Sequence, residues 1–187
     1  MRVGIVLFDD VEEMDFAGPL EVFGVASSLT NKVEVTTLSK NGEPIRCRHG
    51  LRVQPELSFS NCPPLDLLIV PGGRGARERA MRDSETLRFI RNQSSRAHVA
   101  SVCTGALVLA EAGLLDGHKA TTHHANIEAL QRYPKIEVVT GVRYISEESV
   151  SSSAGISAGI DLALEIVRKN FGEAVVTKVR EEMEYNK

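Results

Sequence analysis

The 187-residue sequence lacks any apolar run close to the roughly 18 residues of a membrane-spanning helix. Its N-terminal apolar stretch is short and reaches Asp9 and Asp10, so we expect neither a membrane span nor a signal peptide. It has only three cysteines and no Cys-x-x-Cys pair, which argues against a disulfide framework and a zinc knuckle. This cysteine usage favours a reducing compartment, and we expect a cytoplasmic protein.

The sequence also lacks an excess of charge of either sign. Its 22 Lys and Arg against 25 Asp and Glu give a net charge of −3, without the basic signature of proteins that bind nucleic acid or an anionic membrane. The length fits one globular domain over residues 1–187. The expected partners are therefore a small molecule and a second copy of the chain.

Apolar segments alternate with segments of helical periodicity along the chain. Largely apolar runs at Val3–Phe8, Leu67–Val70 and His98–Val102 predict strands buried on both faces. Helical spacing follows them, in one helix opened by Pro19 and another that starts at Gly105. The alternation predicts an α/β fold with a mostly parallel sheet between helices, which binds ligands at the carboxyl ends of its strands.

The last third of the chain is predicted to be mainly helical. Ser151–Ser153 is interpreted as the segment that leads into a long helical stretch. Gly172 interrupts the apolar stripe of that stretch, so two helices are expected there.

Cys103 lies where a predicted strand passes into a predicted helix. This position exposes the sulfur at the rim of the sheet beside the positive end of a helix dipole, and both effects favour the thiolate. Gly105 would relieve crowding in a nucleophile elbow. The alternative is that Cys103 is a small buried hydrophobe, the usual role of a free cysteine. Cys47, flanked by Arg46 and Arg48, is a weaker rival for reactivity.

The Pro71-Gly72-Gly73 segment ends another predicted strand. Paired glycines let backbone N–H groups approach a ligand, as an oxyanion hole requires, and they also form ordinary tight turns. If the two loops are neighbours, the N–H groups of Gly73 and Thr104 would converge on charge that develops beside the Cys103 sulfur.

Asp15 is predicted in a turn just before the Pro19 helix. The routine role there is an N-cap, and the functional alternative is a carboxyl that faces the pocket and positions water or exchanges a proton. Glu12 and Glu13 are expected to be solvated.

His123 and His124 are adjacent, and neighbouring residues point in different directions on a strand or a helix. We therefore expect no metal site there. A Cys–His dyad that uses His123 is a secondary possibility, which the spacing does not establish.

Several segments resemble the ThiJ/PfpI superfamily, which is class I glutamine-amidotransferase-like, and most closely its isonitrile hydratase branch. The resemblance runs nearly end to end, and its most specific part surrounds Cys103. The segments are MDFAGPLEVF from Met14, CPPLD from Cys62, PGG from Pro71, SVCTGALVLAEAGLLDGHKATTH from Ser101 and AGISAGID from Ala154.

The resemblance implies a flavodoxin-like three-layer sandwich with a nucleophile elbow, usually a homodimer. It implies that the Cys103 thiolate attacks an isonitrile and that water converts the thioimidate to an N-substituted formamide, without a metal or organic cofactor. Asp15 would supply or orient the proton and water. The N–H groups of Gly73 and Thr104 and the Thr104 hydroxyl would stabilise the intermediate, and Ile156 would line the pocket. Protease-like relatives commonly carry histidine at the Thr104 position, which argues against a Cys–His peptidase.

Two other functions are compatible with the same residues. Similar domains form the sensor half of transcriptional regulators, so the chain could be a ligand-sensing domain that does not catalyse a reaction. The reactive cysteine also suits a glyoxalase-like or redox-stress protein of the same superfamily.

Overall fold

The computed structural model describes residues 1–185 and shows an α/β fold. The strands are β1 (Arg2–Val6), β2 (Glu34–Ser39), β3 (Ile45–Arg46), β4 (Arg52–Val53), β5 (Leu57–Ser58), β6 (Leu67–Val70), β7 (His98–Val102), β8 (Lys119–Ala120), β9 (Glu137–Val138), β10 (Tyr144–Ser146) and β11 (Val150–Ser153). The α-helices are α1 (Glu13–Thr30), α2 (Arg74–Glu78), α3 (Ser84–Ser94), α4 (Gly105–Glu111), α5 (Ile127–Leu130), α6 (Ala158–Phe171) and α7 (Glu173–Glu182).

Seven strands form the main sheet in the order β10-β11-β7-β6-β1-β2-β5. Adjacent strands are parallel except for the antiparallel pair of β10 and β11. Two short ribbons, β3–β4 and β8–β9, lie outside this sheet. The mostly parallel sheet predicted from the alternation of segments is therefore confirmed.

Helices cover both faces of the sheet. On one face, side chains of α1 and α6 such as Phe23 and Leu162 pack with Ile5 of β1. On the other face, α3 and α4 contribute Ile90 and Leu109 to a second core. Each such fully buried side chain stabilises the fold by about 1.5–3 kcal/mol. This arrangement confirms the three-layer sandwich, and it explains why the inner strands are apolar at successive positions.

Helix α1 begins at Glu13, six residues before the predicted start at Pro19. The predicted turn at Asp15 is therefore wrong, and Asp15 lies in the first helical turn. The N-cap position belongs to Glu12, so Asp15 is not the N-cap either. Regular apolar spacing starts only after Pro19, because the side chain of Asp15 points into a buried site that helical periodicity does not reveal.

Strand β11 was missed in the sequence, where Ser151–Ser153 was interpreted as a lead-in to a helix. These serines are 0–2% exposed, although nothing in their composition marks a buried strand. They pair in parallel with β7 and antiparallel with β10. Strand β11 thereby lies beside β7, and its last residue pairs with Val102, directly before Cys103.

The turn from β7 to α4 is a strained elbow with Cys103 at its apex. Cys103 has a φ of 57°, in the left-handed region that non-glycine residues rarely adopt. Its N–H donates to the carbonyls of Ser153 (3.2 Å) and Ala154 (3.3 Å), and its carbonyl accepts the Thr122 hydroxyl at 2.7 Å. These bonds hold the strained residue in place.

None of the helices within residues 1–185 combines the length and the apolar character that crossing a membrane requires.

The elbow packs so closely on β6 that Gly105 tolerates no side chain. A Cβ there would lie 2.0 Å from the Val70 carbonyl oxygen. We expect Gly105→Ala to lower the free energy of unfolding by about 1–3 kcal/mol or more, because the backbone must shift. The measurement is urea unfolding. In Gly24→Ala, a control in α1 where a Cβ has no neighbour within 4 Å, stability should rise by about 0.5–1 kcal/mol. Wild-type stability in Gly105→Ala would contradict the tight packing.

Candidate active site

The loops that follow β1, β6, β7 and β11 meet at the carboxyl edge of the sheet. Val11 forms an isolated bridge with Gly73, and the Glu12 N–H donates to the Gly72 carbonyl at 3.1 Å. These contacts hold the start of α1 against the Pro71-Gly72-Gly73 loop. Asp15, the two glycines and the Cys103 elbow, which the sequence suggested separately, are therefore brought together.

Asp15 is fully buried in this site. Its Oδ2 accepts the Gly72 N–H at 3.0 Å, whereas Oδ1 has no hydrogen-bond partner among the described residues. Desolvation raises the pKa of this carboxyl to about 7, against the lowering effects of the Gly72 N–H and the Cys103 thiol. Asp15 is thus a buried carboxyl beside a thiol, with a pKa near neutral.

Cys103 is 6% exposed and holds its proton firmly. Desolvation, followed by the charge of Asp15, raises the pKa of the thiol to about 12. The N–H groups of Thr104 and Ile156 lower this pKa but do not offset the burial. The expectation of a free thiolate is therefore wrong, because burial beside a carboxyl outweighs the dipole of the seven-residue helix α4. A base must take the proton when the sulfur reacts.

Thr104 joins the elbow to the glycine loop. Its hydroxyl accepts the Gly73 N–H at 3.0 Å and donates to the Gly73 carbonyl at 3.2 Å. The Gly73 N–H, suggested as an oxyanion donor, therefore already has a partner. The N–H groups that act on the sulfur are those of Thr104 and Ile156.

Gly72 makes this close assembly possible. A Cβ on Gly72 would lie 2.5 Å from the Thr104 nitrogen and 2.8 Å from Asp15 Oδ2. Gly72 is therefore needed because its loop lies directly against both the Cys103 elbow and the start of α1, and its role goes beyond turn geometry.

A cavity of about 210 Å³ opens beside the Cys103 sulfur. Ile156 lies at its rim in a left-handed conformation and is 38% exposed. The residues that line the cavity are Glu12, Arg48, Gly73, Arg77, Cys103, Thr104, His123, Ala125, Asn126 and Ile156.

No sequence pattern indicated that Glu12, Arg48, Arg77 and Asn126 belong to the cavity. Glu12 was expected to be solvated, but it is 8% exposed and pairs with Arg48 (3.4 Å) and His49 (3.2 Å). These residues come from loops and short helices distant in sequence, so no spacing pattern connects them. Of these residues, only Arg48 was noted in the sequence, as a neighbour of Cys47.

His123 lies in the wall of the cavity. Its Nδ1 accepts the Ala125 N–H at 3.2 Å, and its ring packs against Gly155, where a Cβ would be 2.1 Å from Cδ2. Within residues 1–185, no hydrogen bond joins His123 to Cys103. A Cys–His dyad has no support from this geometry.

Cys47 is buried away from solvent at 2% exposure. Desolvation, with the charge of Glu13, raises the pKa of its thiol to about 11. Burial therefore argues against Cys47 as the nucleophile, because a reactive thiol must be accessible to its substrate and must have a stabilised thiolate.

Among the described residues, Glu12, Glu13 and His49 place potential metal-ligating atoms within 4.8 Å of one another. Glu12 is already ion-paired with Arg48, and the Glu13 carboxylate accepts the His49 N–H at 2.8 Å. These pairings account for the cluster, and we assign no metal to it.

The fold and the elbow define an α/β protein of flavodoxin-like architecture with a buried cysteine at the nucleophile position. The model of the DJ-1/PfpI family matches residues 1–169, and the chain belongs to this family.

Similar proteins have more than one function. An isonitrile hydratase of Pseudomonas putida is 38% identical over 99% of this chain and 78% of that protein. The HTH-type transcriptional regulator GbdR of Pseudomonas aeruginosa is 28% identical over 99% of this chain, which spans about half (51%) of the regulator. The crystal structure of a ThiJ/PfpI family protein from Pseudomonas syringae superposes with a TM-score of 0.91 at 31% identity, covering 100% of this chain and 75% of that one.

The raised pKa of Asp15 predicts a pH-dependent effect on stability. The folded protein holds this proton more tightly than the unfolded chain, whose carboxyl has an ordinary pKa of 3.8. The associated stability is complete below pH 3.8 and is lost as the pH rises through about 7. Asp15→Asn should therefore match the wild type near pH 4 and exceed its free energy of unfolding at pH 8 by up to about 4 kcal/mol.

Urea unfolding at the two pH values measures this difference. Asp83→Asn is the control of opposite sign, because Asp83 is the N-cap of α3. Despite partial desolvation, hydrogen bonds from Thr86 and the nearby Lys40 lower the pKa of Asp83. Asp83→Asn should destabilise the protein at pH 8. An Asp15→Asn variant less stable than the wild type at pH 8 would contradict the buried, costly carboxylate.

Proposed function

We propose that this protein hydrates an isonitrile to an N-substituted formamide, with Cys103 as nucleophile and Asp15 as the group that moves the proton. The observation that carries the proposal is the buried Asp15 carboxyl beside the Cys103 thiol, at a cavity of about 210 Å³. The isonitrile hydratase that is 38% identical over nearly the whole chain supports it.

In the first step, Asp15 accepts the thiol proton while the Cys103 sulfur bonds to the terminal carbon of R–N≡C. The same proton is then delivered to that carbon, which gives the thioimidate R–N=CH–S attached to Cys103. A base with a pKa of about 7 suits both acceptance and return of a proton at neutral pH. The N–H groups of Thr104 and Ile156 stabilise negative charge that develops on the sulfur.

In the second step, water adds to the thioimidate carbon and the nitrogen gains a proton. The C–S bond then breaks, the sulfur regains its proton, and the product is R–NH–CHO. Each step is an addition, an elimination or a proton transfer, and nothing is oxidised or reduced overall. The reaction therefore needs no redox cofactor.

Ligand sensing is the second candidate function. The match to the regulator GbdR covers 99% of this chain and 51% of the regulator, so similar sequences also occur within regulators. A sensing domain would bind its ligand at the same cavity without releasing product. Turnover separates the two candidates.

The first test measures N-substituted formamide production from a small isonitrile such as isocyanoacetate. Cys103→Ala should abolish it, and Asp15→Asn should lower kcat/KM by about 10²–10⁴-fold, because the thiol loses its base. Cys62→Ser is the control, since Cys62 is half-buried outside the cavity and should be dispensable. Wild-type turnover in Cys103→Ala would remove Cys103 as the nucleophile. Saturable isonitrile binding without turnover by the wild type would favour sensing.

The pH dependence tests the role of Asp15 separately. The competent form has Asp15 as carboxylate and Cys103 as thiol, so kcat/KM should rise as the pH increases through about 7. It should then stay level into the alkaline range, because the pKa of the thiol is about 12. Rate measurements from pH 5.5 to 9 check this. A profile that is flat across pH 7 would contradict the assignment of Asp15 as the base.

A further inference from the structure

We infer that the substrate carries an anionic group, such as a carboxylate, and that Arg77 binds this group inside the Cys103 cavity. The inference rests on the proposed function, since it names the class of isonitrile that this site takes. Its basis is the polarity of the cavity and the lack of a partner for Arg77.

The wall of the cavity does not suit a plain hydrocarbon substituent. Among the described residues that line it, Ile156 is the only large apolar side chain. Two arginines, a histidine, an asparagine and a glutamate supply most of the other side chains. An alkyl or aryl group would desolvate these charges without replacing their hydrogen bonds, which is unfavourable.

Arg77 is the cation in this wall that lacks a protein partner. Its Nε is buried and donates no hydrogen bond, and Arg77 forms no ion pair within residues 1–185. By contrast, Arg74 on the same short helix pairs with Glu78 at 2.9 Å, and Arg48 pairs with Glu12 at 3.4 Å. A partly desolvated guanidinium with free donors is suited to a bidentate carboxylate.

The charges around the cavity agree with this assignment. Glu12 forms an ion pair with Arg48, whereas Arg77 forms no ion pair among the described residues. Desolvation, followed by the charges of His124 and Arg77, lowers the pKa of the His123 ring, and Glu12 raises it. An anion bound at Arg77 would accept the hydrogen bond that the Arg77 Nε donates to no described residue.

The size of the cavity limits the rest of the substrate. Cys103 and Arg77 line the same cavity of about 210 Å³. The isonitrile carbon and the anionic group must therefore both lie within this space, which favours a short spacer between them. A small isocyano acid is the expected class.

The catalytic test compares isocyanoacetate with its neutral isostere isocyanoacetamide. The wild type should favour isocyanoacetate in kcat/KM by about 10–100-fold, the range expected of a charge-assisted hydrogen bond. Arg77→Gln should abolish this preference, and the matched control Arg74→Gln should keep it. Equal rates with both substrates, or a preference retained in Arg77→Gln, would overturn the inference.

An alkylation test reads the anion preference without requiring any turnover. The Cys103 sulfur displaces iodide from iodoacetate or from neutral iodoacetamide and loses its proton, and mass spectrometry of the Cys103 peptide gives the two rates. The ratio of iodoacetate to iodoacetamide rates should fall about 10–100-fold in Arg77→Gln and remain unchanged in Arg74→Gln. An unchanged ratio in Arg77→Gln would overturn the inference. A ratio that falls in a protein inactive on both isonitriles would retain the anion site and refute the hydratase proposal.

Discussion

The burial of a carboxyl beside a thiol is the constraint on which the rest of this structure depends. Water would favour ionised Asp15 and would leave Cys103 with an ordinary thiol pKa, but the site removes water from both. Each group then holds its proton more tightly than it would in solvent. The pKa of Asp15 is raised to about 7 and that of Cys103 to about 12. The buried carboxyl lowers the stability of the fold at neutral pH, and destabilising groups of this kind are typical of functional sites.

Close backbone packing keeps this pair in place. Gly72 and Gly105 stand where a Cβ would overlap Thr104 or the Val70 carbonyl, and Gly155 leaves room for the His123 ring. The elbow is also bound at its N–H by carbonyls at the end of β11. Because these contacts are mostly backbone to backbone, the geometry depends more on the absence of side chains than on particular side-chain interactions.

The sequence predicted the parts of the fold that rest on apolar periodicity, including β1, β6, β7 and the two C-terminal helices. It missed β11, since a buried run of serines has no apolar signal, and it placed the start of α1 too late at Pro19. Cys103 could be singled out from its position between strand and helix, and Asp15 from its position before the first helix and from the resemblance. The protonation of the thiol could not be predicted, because desolvation depends on the loops that close over it.

The Asp15–Cys103 pair and most of the cavity wall come from different parts of the fold. Cys103 and Asp15 are positioned by the central sheet and the first turn of α1, whereas Arg48, Arg77 and Asn126 come from peripheral segments. Substitutions at Arg48, Arg77 or Asn126 would therefore change the cavity wall while leaving the Gly72 N–H bond to Asp15 in place. Relatives named as an isonitrile hydratase and as a transcriptional regulator show that similar sequences occur in proteins of different function. Arg77, whose Nε has no hydrogen-bond partner among the described residues, is the wall residue on which our inference about the ligand depends.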